Sequence, residues 1–240
     1  MKNESGNVLI ILLVAIVLLG ALTALLTRSG GSTNETGELE QQSIVVSEIL
    51  RYASSIEAAV TRLRQRGCSE NQLSFQYDAD GDGDYTDTGE TPDYRNANAP
   101  SDLSCHIFHP NGGGQTYESP EADWLDSTHS AIVTYGDYAF TRRTEIADVG
   151  ENTEKDLTLF INFIIRDLCV AINNTLDLPN PSGEPPVDDG DFNSTDLFDG
   201  TFDTGSVSDV NPPELIGEKS GCFKHSSNDQ YFFYHVLIAR

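Results

Sequence analysis

Apolar and polar positions along the chain fall into three regimes. Val8 to Leu26, VLIILLVAIVLLGALTALL, carries no charge over nineteen positions. As a helix it would rise about 28 Å, near the ~30 Å of a bilayer's hydrocarbon core. A Gly-rich polar break follows at 29–37, which predicts a hinge, because each mid-helix Gly costs about 1 kcal/mol relative to Ala. Beyond it, Leu39, Gln42, Val46, Ile49, Ala53, Ile56, Val60 and Leu63 step alternately by three and four, with charged residues off the stripe. That spacing predicts an amphipathic helix whose apolar face packs on the protein's own sheet. Arg64, Arg66 and Gly67 are its stop signals.

After Cys68 the period changes. Leu73–Tyr77 alternates as a half-buried strand does, and Cys105–His109, Ala131–Tyr135 and Tyr138–Thr141 are further strand candidates. Asp156–Leu176 has an apolar side and reads as a second helix. Gln230–Ala239 contains YFFYHVLIA and reads as a buried strand. The acidic, Pro-bracketed stretch 183–211 reads as a long surface excursion. The expected fold is α+β: an N-terminal transmembrane/amphipathic helix and a C-terminal head with a mainly antiparallel sheet.

Charge narrows the function classes. Among 240 residues, 38 acidic against 14 basic side chains leave a net charge of −24. Such a surface excludes nucleic acid as a partner, since a phosphate backbone needs a basic face. Four cysteines beside an apolar N-terminal run point to two disulfides and an oxidising compartment. Cys68, Cys105, Cys169 and Cys222 have no zinc-ligand spacing. Three pairings are possible, and sequence order favours Cys68 with Cys105 and Cys169 with Cys222.

The densest chemistry lies at Asp78-Ala-Asp-Gly-Asp-Gly-Asp-Tyr-Thr-Asp-Thr-Gly-Glu90, with six carboxylates in thirteen residues. Calcium, which takes six to eight oxygen ligands, is the natural counter-ion. The D-x-D-x-D-G opening matches an EF-hand loop with Gly83 at the sharp turn. The twelfth position is Gly89 and the Glu falls one later, and the preceding segment is strand-like. The candidate ligands are Asp78, Asp80, Asp82, Asp84 and Glu90. A second acidic loop, Asp188–Asp196, has looser spacing. His106 and His109 read as ordinary histidines. No nucleophile motif or phosphate loop is present, so the chain does not read as an enzyme.

Met1-Lys-Asn-Glu-Ser-Gly6 is a short polar leader with a basic residue, and its Gly directly precedes the apolar run from Asn7. This start resembles the type IV pilin and pseudopilin superfamily. Glu4–Leu9, Cys105–Gly114 and the Tyr231–Arg240 tail resemble an alphaproteobacterial pilin-like group. The resemblance implies a leader at 1–6 cut between Gly6 and Asn7 by a prepilin-type peptidase. It further implies a transmembrane and filament-core helix at 7–28, and a head that completes 38–240. The subunit would sit in the inner membrane with a periplasmic head. It would then join copies of itself or other pilin-like subunits, through its N-terminal helix, in an extracellular filament. Ile11 stands where such pilins usually carry Glu. The alternative expectation is a single-span envelope protein whose acidic calcium-binding domain binds a partner without polymerising.

Overall fold

The computed structural model describes residues 32–86, 91–151, 154–190, 192–204 and 208–240. The chain divides into two units, Met1–Val45 and Val46–Arg240. Val8–Leu26 and the Gly6–Asn7 junction lie outside the described residues.

Helix α1 spans Ser32–Gln65. It therefore includes Ser32–Gly37 of the segment expected to be a hinge. Within the second unit the stripe holds: Val46, Ile49, Ala53, Ile56, Val60 and Leu63 are each 1% exposed or less. Gly67, at φ 103°, adopts the left-handed conformation that ends a helix. Its N–H donates to the Arg64 carbonyl, and the Cys68 N–H donates to that of Leu63.

A five-stranded sheet supports the helix. Its strands are β1 (Tyr138–Thr141), β3 (Leu157–Asn162), β4 (Val187–Asp188), β6 (Ser220–His225) and β7 (Tyr231–Ile238), in the order β1-β3-β7-β6-β4. β4 runs parallel to β6, and the other pairs are antiparallel. Two short strands, β2 (Glu145–Ile146) and β5 (Asp209–Val210), form a separate parallel pair. Helix α2 spans Arg166–Thr175.

The expected fold class needs correction. Among the described residues there are two α-helices, and neither is long and apolar enough to cross a membrane. The sheet is mixed, because the short β4–β6 pair is parallel, while its other three strand pairs are antiparallel. Asp156–Leu176 is not one helix: Leu157–Asn162 is a strand buried along its whole length, and α2 begins only at Arg166. Phe163, at φ 61°, turns the chain between them. Ala131–Tyr135 is a series of turns. Leu73–Tyr77 and Cys105–His109 are joined by one bridge, Ser74 to His106. Nor is 183–211 only a surface excursion, because Asp188, Phe198 and Val210 from it are fully buried.

Register sorts the sheet into two faces. Tyr138, Ile161, Phe233 and Cys222 form one cross-strand row, with Phe140, Leu159, His235 and Ser220 beside it. Helix α1 docks on this face. Tyr52 stacks on Tyr138 at 4.6 Å between ring centroids, and Glu57 Oε2 lies 3.1 Å from His235 Nε2. The disulfide Cys169–Cys222 fixes α2 to the same face. Ala139, Phe160, Phe223, Phe232, Tyr234 and Val236 point the other way, into a cluster with Ile146, Val149, Val210 and Leu215.

The end of α1 is fastened three times. Cys68–Cys105 closes a covalent link. Arg66 Nη1 donates to the Gly112 carbonyl at 3.1 Å, and Arg62 Nη2 to that of Gly113 at 3.2 Å. These glycines let two chain segments touch. A Cβ on Gly112 would fall inside the His106 carbonyl, and one on Gly113 inside that of Ile107. The obstacle is backbone on both sides and cannot swing away. Gly112→Ala should lower stability by roughly 1–3 kcal/mol, as overpacking does, and Gly114→Ala should strain only its own φ of 64°. Urea unfolding of the two variants checks this.

His235 bridges helix and sheet, its Nδ1 2.6 Å from Ser220 Oγ and its Nε2 facing Glu57. Lys219 Nζ lies 3.9 Å from the same carboxylate. Burial lowers the His235 pKa, and the Glu57 carboxylate opposes that shift. A histidine with a depressed folded pKa stabilises fully above its unfolded value of ~6.5 and loses that contribution as pH falls. Burial raises Asp156 to about 7 and Asp188 to about 6, which acts in the opposite sense. Those groups cancel when two variants are compared. His235→Gln should lose less stability than wild type between pH 7 and 5, by on the order of 1 kcal/mol. Denaturant titrations at both pH values read the difference.

Candidate metal centre

The acidic loop hangs between two anchored stems. On the incoming side, Ser74 exchanges backbone hydrogen bonds with Cys105 and Ile107 at 3.1 and 2.9 Å. Phe75 is fully buried and stacks on Phe140 at 4.2 Å. Tyr77 stacks on Tyr117 at 3.8 Å, with the rings 7° from parallel. On the outgoing side, the Tyr94 N–H donates to Gln76 Oε1 at 2.7 Å. The Tyr94 hydroxyl donates to the Tyr138 carbonyl at 2.6 Å and accepts the Phe140 N–H at 3.2 Å. That burial drives the Tyr94 pKa far above the ordinary phenol range. The disulfide-closed region and strand β1 thus hold both loop ends.

Between the stems the carboxylates organise the backbone. Asp78 Oδ1 accepts the Gly81 N–H at 2.7 Å, and its Oδ2 accepts that of Gly83 at 3.0 Å. Asp80 accepts from the Asp82 N–H at 3.1 Å, and Asp82 from the Asp84 N–H at 2.7 Å. Gly81 and Gly83 have φ of 80° and 89°, a conformation that a side chain would strain. The result is a tight coil in which alternate aspartates point to one side.

One carboxylate oxygen from each of Asp78, Asp80 and Asp82 lies within 4.8 Å of the others. Asp78 is half-buried, while Asp80 and Asp82 are exposed. Like charges at such separations repel, and a hard cation is the species that would reverse that term. Side chains at the first, third and fifth positions, with Gly at the sixth, are the arrangement by which an EF-hand loop starts. The remaining oxygens of such a shell would come from backbone carbonyls and water.

The other expected ligands differ. Asp84 turns to its own neighbour, accepting from the Thr86 N–H at 2.8 Å and the Thr86 hydroxyl at 2.7 Å. These bonds hold its carboxyl below the usual range. Glu90 lies outside the described residues. In the second acidic loop, Asp188 is buried and accepts N–H groups from Gly190 at 2.8 Å and Asn211 at 3.3 Å. Its role is to tie two chain segments together. Among the described residues, the first loop alone brings three potential ligand groups together.

The histidines take separate roles. His109 lies edge-on to Tyr85 at 4.7 Å. His106 is buried, its Nδ1 has no partner, and burial pushes its pKa down to about 4. The Ser220–His235–Glu57 chain escapes a linear reading, because its members come from β6, β7 and α1. A single histidine at an alternate position inside the apolar YFFYHVLI was its one signal.

No protein-family profile, characterised protein or solved structure shows significant similarity to this chain.

Proposed function

We propose that the chain is a pilin-like structural subunit whose head works in an oxidising space outside the cytosol. The observation that carries this reading is the helix-on-sheet head, with α1 as its spine along one sheet face. A helix that enters such a head from its N-terminal side can present the head on an assembly. Two closed disulfides support an oxidising compartment, and the −24 charge supports an aqueous, non-nucleic-acid setting. The polar leader ending at Gly6 supports processing by a prepilin-type peptidase, and copies of this chain or other pilin-like subunits are the proposed partners. Intact-mass analysis of native protein, together with purified surface filaments, tests the reading. A chain beginning at Asn7 and present in filaments is expected. Retained Met1 with no chain in any filament would overturn it.

The clustering of Asp78, Asp80 and Asp82 favours a second property, calcium binding by the head, with or without polymerisation. Loops of extracellular modules bind calcium with Kd of ~10⁻⁴–10⁻³ M. Ten millimolar calcium should then add about 1.4–2.7 kcal/mol, from RT ln(1 + [L]/Kd). The thermal midpoint should rise by a few degrees in calcium and fall back in chelator. Asp80→Asn with Asp82→Asn should remove that response and leave the calcium-free midpoint unchanged or higher, because repulsion is relieved. Equal wild-type midpoints in calcium and chelator, with no heat of binding, would reduce the loop to an acidic turn.

A further inference from the structure

Strand β1 borders a cavity of about 370 Å³. Pro92, Tyr94, Ala139 and Leu197 give it an apolar interior. Tyr94 is fully buried and Ala139 is 3% exposed, so this part of the wall is fixed by the core. The turn segment contributes Ile132 and Val133, which are 41% and 84% exposed. Adjacent exposed aliphatic side chains beside a concave apolar surface are the usual mark of a docking site.

Asp137 is on the same wall. It is half-buried, and its Oδ1 accepts the Tyr117 hydroxyl at 3.2 Å. Among the described residues no Lys, Arg or His lies in ion-pair contact with it, whereas Asp93, Asp196 and Asp199 each hold an arginine. Burial raises its pKa, as expected of a carboxylate that lacks a counter-charge. A half-buried anion at the edge of an apolar cavity selects an occupant that is apolar with a cation attached.

We propose that this cavity docks a segment of a basic partner protein, taking one aliphatic side chain into the apolar interior and setting an adjacent Lys or Arg against Asp137. Charge argues for a different protein rather than a second copy, since each copy carries −24 and the same field attracts a basic chain. A cavity of this volume accepts one branched side chain and part of its neighbour, so the anchor is short. The pairing of a filled apolar pocket with a desolvated ion pair gives specificity as well as attraction.

The test uses the full chain and three capped tetrapeptides, Gly-Leu-Lys-Gly, Gly-Leu-Glu-Gly and Gly-Ala-Lys-Gly, titrated at 150 mM salt. Calorimetry or chemical-shift changes give Kd. The Leu-Lys peptide should bind at least tenfold more tightly than either of the others. Asp137→Asn should bring the Leu-Lys preference over Leu-Glu below threefold, with an unchanged thermal midpoint. Val133→Ser, at an exposed position that folding does not need, should weaken Leu-Lys binding at least threefold. Equal binding of the Lys and Glu peptides, a preference that survives Asp137→Asn, or no binding at 5 mM peptide would each overturn the proposal. So would self-association of the protein that Val133→Ser abolishes, because a second copy would then be the occupant.

Discussion

Strand β7 cannot stand against water on either side. All eight of its residues are buried, from Tyr231 to Ile238, and successive side chains point to opposite faces. Each face must therefore be covered by something the chain supplies elsewhere. One face receives α1 and α2, and the other receives Ile146 and Val210 from the β2–β5 pair, with Val149 and Leu215 from the turns that follow those strands. Covering a sheet on both sides is what makes it possible to bury β3 and β7 completely. Fully burying one large aliphatic or aromatic side chain contributes about 1.5–3 kcal/mol, and this architecture repeats that gain along two whole strands.

The docking of α1 sets where the rest of the head can go. Its end at Gln65 fixes Cys68, and the disulfide to Cys105 fixes the segment whose Cys105 and Ile107 backbones pair with Ser74. That bridge holds one stem of the acidic loop, and Tyr94, hydrogen-bonded to the β1 backbone, holds the other. The carboxylates of Asp78, Asp80 and Asp82 therefore extend from a rigid base, although their own loop is exposed. Cys169–Cys222 does the same for α2 across β6. Each disulfide restricts the unfolded chain by about 2–4 kcal/mol in the chain-entropy picture. The larger consequence lies in which local segments they hold in register.

Legibility followed how one-sided each element is. The α1 stripe was readable because one face is buried and the other is not, so the 3.6-residue period shows. β7 was readable from an apolar run interrupted only by His235. β3 was not, because a strand buried on both faces has no alternation, and Leu157–Asn162 runs on into the apolar side of α2. β6 reads Ser-Gly-Cys-Phe-Lys-His and carries no strand signal of its own; its partner β7 makes it a strand. Ala131–Tyr135 has the β-branched composition of a strand but no neighbour to pair with, and its Ile132 and Val133 are exposed. The acidic stretch misled because its many aspartates hid Phe198 and Val210, which the core needs. The aspartate loop was legible in its opening, where residue type and Gly spacing dictate the turn. It was not legible in Asp84, whose carboxylate is satisfied locally by Thr86.

The central claim is that α1 and the sheet form one cooperative core rather than a helix resting on an independent sheet. Native-state hydrogen exchange on the full chain, resolved to single amides, tests it most directly. Amides of Ile49–Leu63 in α1 should share the protection of those in β3 and β7, and Ile56→Ala should lower all three together by the same free energy, about 2–5 kcal/mol. Helix amides that exchange far faster than the β3 and β7 amides in the wild-type protein, or an Ile56→Ala effect confined to the helix, would contradict it.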